Sequence, residues 1–118
     1  HDNDTTRGFF EKAKNEDPEL YKCTCDYLGY YGDNICYEII KEAYKSVANL
    51  VLLPLQDVLN LGSDARMNFP GKLGGNWTWR FTNDQVNDNT AEMLKFLVEL
   101  YERYPITKKK VEYQVIEY

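Results

Sequence analysis

The sequence predicts an α/β fold, mostly helical and arranged around one buried parallel strand, and three observations carry that expectation. Residues 49–54, Asn49-Leu50-Val51-Leu52-Leu53-Pro54, hold an unbroken apolar run where a half-exposed strand would alternate. A strand covered on both faces has this pattern. Apolar residues recur at helical spacing just before it, and a long glycine-rich loop followed by another helical stretch comes after it. Helix, strand, loop and helix is the rhythm of a parallel α/β architecture.

The elements follow in order. Thr5 or Thr6 can cap a first short helix through about Lys14, and Asp17-Pro18 places a cap before a proline at the first helical position of a second, reaching about Leu28. Gly29 and Gly32-Asp33-Asn34 break it. Over 35–47, Ile35, Cys36, Ile39, Ile40, Ala43 and Val47 fall on one face, so a third helix buries that stripe and feeds the strand. Pro54 ends the strand because it has no N–H for the ladder. The last helix starts in steps, since Thr82 with Gln85 and Asn89 with Glu92 both have capping-box spacing. Met93, Leu97, Leu100 and Tyr104 form its buried stripe, and Pro105 stops it. Residues 105–118 read as an extended tail of unassigned role, with Val111, Tyr113 and Val115 alternating against polar neighbours. No repeat, linker or domain boundary interrupts 1–118.

Composition excludes several classes of function. Nineteen acidic against 14 basic residues give a formal charge of −5, which repels phosphate backbones and argues against a nucleic-acid partner. No apolar stretch approaches the roughly 20 residues of a membrane span. Cys23, Cys25 and Cys36 are odd in number, have C-x-C spacing and lack a fourth ligand, so reduced thiols in a cytoplasmic protein are expected rather than a zinc site. The chain does not open on methionine, and 118 residues are too few for a complete (β/α)₈ barrel of about 250. The expectation is therefore a piece of a larger protein whose remainder lies upstream.

Two motifs carry the chemistry. The chain opens His1-Asp2-Asn3-Asp4-Thr5-Thr6-Arg7-Gly8, which sets an imidazole beside a carboxylate, a pair able to bond the hydroxyls of one sugar ring. Further on comes Leu53-Pro54-Leu55-Gln56-Asp57-Val58-Leu59-Asn60-Leu61-Gly62-Ser63-Asp64-Ala65-Arg66-Met67-Asn68-Phe69-Pro70-Gly71, then Gly75-Asn76-Trp77-Thr78-Trp79-Arg80. Together, in this order, they resemble the 4-α-glucanotransferases called amylomaltases or disproportionating enzymes, glycoside hydrolase family 77 of the α-amylase clan. The resemblance spans roughly 1–104, firmly at both motifs and loosely between Phe9 and Lys45.

The resemblance implies the C-terminal part of a (β/α)₈ TIM barrel, with His1 at the end of the seventh strand and 49–54 as the eighth. Both motifs would then face one cleft, because such barrels place their chemistry at the C-terminal ends of strands. It implies retaining transfer of α-1,4-glucan segments between maltooligosaccharides, starch or glycogen, with no cofactor, and with the missing N-terminal part of the same barrel as partner. The nucleophile and the acid are not identifiable here. Asp2 would stabilise the transition state by holding hydroxyls of the distorted sugar, with His1 beside it and Asn3 of the same motif binding substrate. Asn68 is implied as an acceptor-side contact.

The residues also have plainer readings. Asp2 or Asp4 can cap the first helix, and Asp4 is assigned that role. Gln56 and Asp57 follow the strand end and can line the cleft, or Asp57 can cap the next helix. Trp77 can stack on a glucose face, whereas two tryptophans two apart also suit a loop anchor. Arg66 and Arg80 read as ion-pair anchors. A noncatalytic glucan-binding or protein-interaction module built on the same surface is the alternative function.

Overall fold

The computed structural model describes residues 1–104, and among these the regular elements are all helical. They are α1 (Thr6–Glu16), α2 (Pro18–Leu28), α3 (Ile35–Lys45), the single turn α4 (Leu55–Val58), a 3₁₀ turn at Ser63–Ala65, and α5 (Asp88–Leu100). Helix α1 packs on α2 and α3, and α3 packs on α4 and α5.

Helix α1 begins where Thr5 turns its hydroxyl back to accept from Gly8 N at 3.1 Å. The next orphan donor of the first turn, Thr6 N, is met from far away: Asp57 Oδ1 accepts it at 2.8 Å and Asp57 Oδ2 accepts from Thr6 Oγ1 at 2.9 Å. Asp4 is not the cap that the sequence suggested. Its Oδ1 accepts from Thr5 N at 2.7 Å, and its Oδ2 accepts from Ser63 Oγ at 2.8 Å, which ties the chain start to the 3₁₀ turn.

Asp17 ends α1 and starts α2, donating its own N–H to Ala13 O while its carboxylate accepts from Leu20 N at 3.1 Å. Pro18 then takes the first helical position, as expected. Gly29 closes α2 at φ 64°, a left-handed backbone that a side chain would resist. Asn34 caps α3 by accepting from Tyr37 N at 3.3 Å.

The core lies between α3 and α5. Cys36, Ile40 and Leu97 are buried together, and Tyr37, Tyr44, Leu53 and Tyr101 close around them. Val47 does not extend this face as expected, because α3 stops at Lys45 and leaves Val47 fully exposed. The end of α3 is held by Arg103, whose guanidinium donates to Tyr44 O, Ala48 O and Ser46 O at 2.9 Å each and to Ala43 O at 3.4 Å.

The buried parallel strand expected at 49–54 is not formed among the described residues. The segment has no regular secondary structure and makes no ladder; Leu50 and Leu52 are 70 and 81% exposed, while Leu53 packs on the core. The physical reason is that a strand is completed by its neighbours, and no described residue pairs with either edge. Helix α5 also departs from expectation at both ends. Asn87 caps it, accepting from Asn89 N and Thr90 N at 3.0 and 3.3 Å. Thr82 and Gln85 do exchange bonds, but these close a turn ahead of the helix. Of the expected stripe only Leu97 is fully buried; Leu100, the last helical residue, and Tyr104 beyond the helix are exposed. Pro105 and the tail expected over 105–118 lie outside the described residues.

Candidate active site

The first two residues meet the loop after α4. His1 Nε2 lies 3.1 Å from Asp2 Oδ1, and Asn68 Nδ2 donates to the same oxygen at 2.6 Å. The His1 ring rests against Trp77, with ring centroids 4.9 Å apart and tilted by 41°. Four of the residues singled out from the sequence, His1, Asp2, Asn68 and Trp77, are thus joined in one cluster. His1 and Asp2 are 59 and 60% exposed, so solvent screens their attraction and the cluster is an open surface able to meet a ligand. Both contacts fall on Asp2 Oδ1; among the described residues Oδ2 accepts from no protein donor.

The loop that carries Asn68 and Trp77 is pinned by one backbone bond and by the side chain of Asn76. Trp77 N donates to Met67 O at 2.6 Å, Phe69 N donates to Asn76 Oδ1 at 2.9 Å, and Asn76 Nδ2 donates to Lys72 O at 2.9 Å. Trp77 itself has φ 62°, a left-handed conformation uncommon for a bulky residue. The loop therefore holds the indole against the imidazole at the expense of backbone comfort. Arg80 steadies the same turn through Trp77 O at 3.1 Å and Trp79 O at 2.7 Å.

Among the described residues neither Arg66 nor Arg80 makes the expected ion pair. Arg66 donates from Nε to Asn68 O at 2.7 Å and from its terminal nitrogen to Asp2 O, and its plane lies over the Phe69 ring at 5.3 Å. The local pattern carried no signal for this, since Asp2 is 64 positions away.

The remaining candidates sit beside the cluster. His1, Asn3, Gln56 and Asp57 line a recess of about 150 Å³ together with Arg66 and Met67. Asn3 is exposed, whereas Gln56 is buried with its amide donating to Ala65 O at 3.3 Å. Asp57 has both oxygens engaged by Thr6, so its main work is to fasten α1 to the segment after residue 54. Behind it, Cys36 Sγ donates to Asp57 O at 3.3 Å. Burial, with the Asp57 charge adding to it, pushes the Cys36 thiol up to about 12. All three cysteines are unpaired, and no group of three or more His, Cys, Asp or Glu side chains is placed to hold a metal ion among the described residues.

A carboxylate with one oxygen braced by an amide and an imidazole, and the other without a protein donor among the described residues, is chemically able to accept hydrogen bonds from vicinal hydroxyls. An indole face beside it suits the apolar face of a sugar ring. The chain superposes on the amylomaltase from Streptococcus agalactiae in complex with acarbose with a TM-score of 0.80 and 29% identity, covering 89% of this chain and 21% of that one. The family model for 4-alpha-glucanotransferase, glycoside hydrolase family 77, matches residues 1–86, and the chain belongs to that family. The 4-alpha-glucanotransferase of Synechocystis sp. is 46% identical over 104 residues, the chloroplastic/amyloplastic enzyme of Arabidopsis thaliana 38% over 107, and that of Thermus thermophilus 37% over 109. Each alignment covers 87% of this chain but only 20, 18 and 21% of the relative, so the chain spans about a fifth of the length of the curated relatives it matches. Among the described residues no helix is long and apolar enough to cross a membrane.

Proposed function

We propose that the protein carrying this chain is a retaining 4-α-glucanotransferase acting on α-1,4-glucans such as maltooligosaccharides, starch or glycogen. The chain contributes one side of the cleft of a (β/α)₈ barrel. The observation that carries this reading is the convergence of Asp2, His1, Asn68 and Trp77 from segments up to 76 positions apart in a member of this family.

In retaining transfer one carboxylate attacks the anomeric carbon while a carboxylic acid protonates the departing oxygen, the two about 5 to 5.5 Å apart, and the acceptor hydroxyl then displaces the enzyme. Those two groups belong to the rest of the protein. Asp2 takes the 2- and 3-hydroxyls of the sugar being flattened, and its negative charge stabilises the positive charge that grows on the ring. His1 holds the same ring, Trp77 stacks on a neighbouring glucose, and Asn3 and Asn68 bond hydroxyls, Asn68 on the acceptor side through the amide atoms that Asp2 leaves. Gln56 and Asp57 border the cleft beside them. Residues 49–54 supply the eighth strand once upstream strands pair with it, which accounts for an apolar run half in water in this chain. The unpaired thiols suit a cytoplasmic protein.

Incubating the intact protein with maltotriose tests the reading. Glucose plus a ladder of longer oligosaccharides is the expected product pattern, unchanged by chelators. Hydrolysis products alone, or activity abolished by a chelator, would overturn it.

A further inference from the structure

We propose that Arg66 is a positioning residue that couples the donor-side carboxylate Asp2 to the acceptor-side amide Asn68. The proposal rests on the glucanotransferase reading of the site. The guanidinium spans two main-chain carbonyls, Asp2 O at the chain start and Asn68 O in the loop after α4, and stacks on Phe69, which follows Asn68. Asn68 Nδ2 then donates to Asp2 Oδ1 at 2.6 Å. Two contacts thus link the segments in parallel, one through main chain by way of Arg66 and one through side chains.

A planar fork with five donors can bridge two carbonyls in fixed geometry, and a lysine ammonium on a flexible stem cannot do so with the same definition. Among the described residues Arg66 pairs with no carboxylate, so its hydrogen bonds go to backbone position rather than to charge neutralisation. Asp2 is well exposed and held by few contacts. Removing the bridge leaves its carboxylate to drift relative to a sugar ring, and a misplacement of about 1 Å costs on the order of 10²-fold in rate.

The full-length protein is assayed for maltotriose disproportionation as wild type, Arg66→Ala, Arg66→Lys, Asp2→Asn and the double variant Arg66→Ala with Asp2→Asn. Arg66→Ala is expected to lower kcat on the order of 10²-fold while KM changes by no more than about 3-fold, because ground-state binding is shared among many contacts. Arg66→Lys, the variant that keeps the charge if the alanine form does not fold, should lose about 10-fold in kcat. In the Asp2→Asn background, Arg66→Ala should cost less than about 3-fold further, since a residue that acts through Asp2 has nothing left to position. Full activity in Arg66→Lys, or losses that simply multiply in the double variant, would overturn the proposal. An Asp2→Asn protein with wild-type turnover would instead remove Asp2 from the site, a failure of the underlying functional reading that these variants tell apart from a failure of Arg66.

Discussion

Gly8 sits inside α1, where alanine normally stabilises a helix by about 0.5 to 1 kcal/mol. Here a Cβ would fall on Ser63 Oγ and lie 2.8 Å from Ser63 N and 2.9 Å from Asp4 Oδ1. The backbone nitrogen cannot step aside as a flexible side chain would, so overpacking wins. Gly8→Ala is expected to destabilise the full-length protein by about 1 to 3 kcal/mol, read as a lower midpoint in urea. Asp2→Asn belongs to a different kind of effect: turnover should fall on the order of 10²-fold or more with little change in maltooligosaccharide affinity. Steady-state kinetics beside a binding isotherm would separate the two, and near-normal turnover would leave Asp2 without a catalytic role. Cys36 has a thiol raised from 9.0 to about 12, so the unfolded chain gives up this proton first as pH rises. Its contribution to stability is complete below pH 9 and is lost as pH climbs from 9 towards 12. In the native protein, iodoacetamide at mildly alkaline pH should label exposed Cys23 and spare buried Cys25 and Cys36, which mass spectrometry of the peptides would report.

Helix ends show which interactions a linear reading can find. Thr5 before α1 and Asp17-Pro18 before α2 were legible because a cap reaches only three residues ahead, to Gly8 N and Leu20 N. The other supports were not legible, because their partners are remote: Asp57 serves Thr6 from 51 positions away, and Arg103 serves the end of α3 from 55 to 60. Arg103 covers four carbonyls and its guanidinium lies 5.8 Å from the Tyr44 ring centre, so one side chain satisfies the helix end and seals the core edge. Arg103→Ala should cost about 1 to 3 kcal/mol, the range for charged hydrogen bonds discounted for partial exposure. Arg103→Lys should recover less than half of that, since one ammonium cannot fork across the same carbonyls. Denaturant unfolding of both variants checks the order, and equal stability of all three proteins would show that water replaces the clamp.

Considered whole, the described residues bury few large side chains and expose many. Leu97 and Cys36 are the largest fully buried, whereas Val47, Leu50, Leu52, Leu73, Phe81, Phe96 and Leu100 are all exposed. Each large apolar side chain left in water forgoes roughly 1.5 to 3 kcal/mol of burial. The 118-residue chain expressed by itself should therefore self-associate or dissolve poorly, and it should show no turnover of maltotriose. Light scattering after size exclusion and a maltotriose assay of the same fractions test both statements. A monodisperse monomer with transferase activity would contradict them together.

Local order along the chain was enough to place α1, α2 and most of α3, since capping, proline position and helical periodicity act within a few residues. The paired motifs at 1–8 and 53–80 were likewise enough to point to the glucanotransferase family. Contacts between distant segments decided the rest. The carboxylate of Asp2 acquires its amide partner from residue 68 and its backbone anchor from residue 66, and no pattern within either motif encodes that meeting. The apolar run at 49–54 marks a segment that should be covered, yet a strand exists only when another backbone offers the complementary donors and acceptors. Hydrogen-bond partners far apart in sequence are chosen by how helices pack, which is why the individual contacts within the cluster and the unpaired run became visible only in three dimensions, although the resemblance had already put both motifs on one cleft.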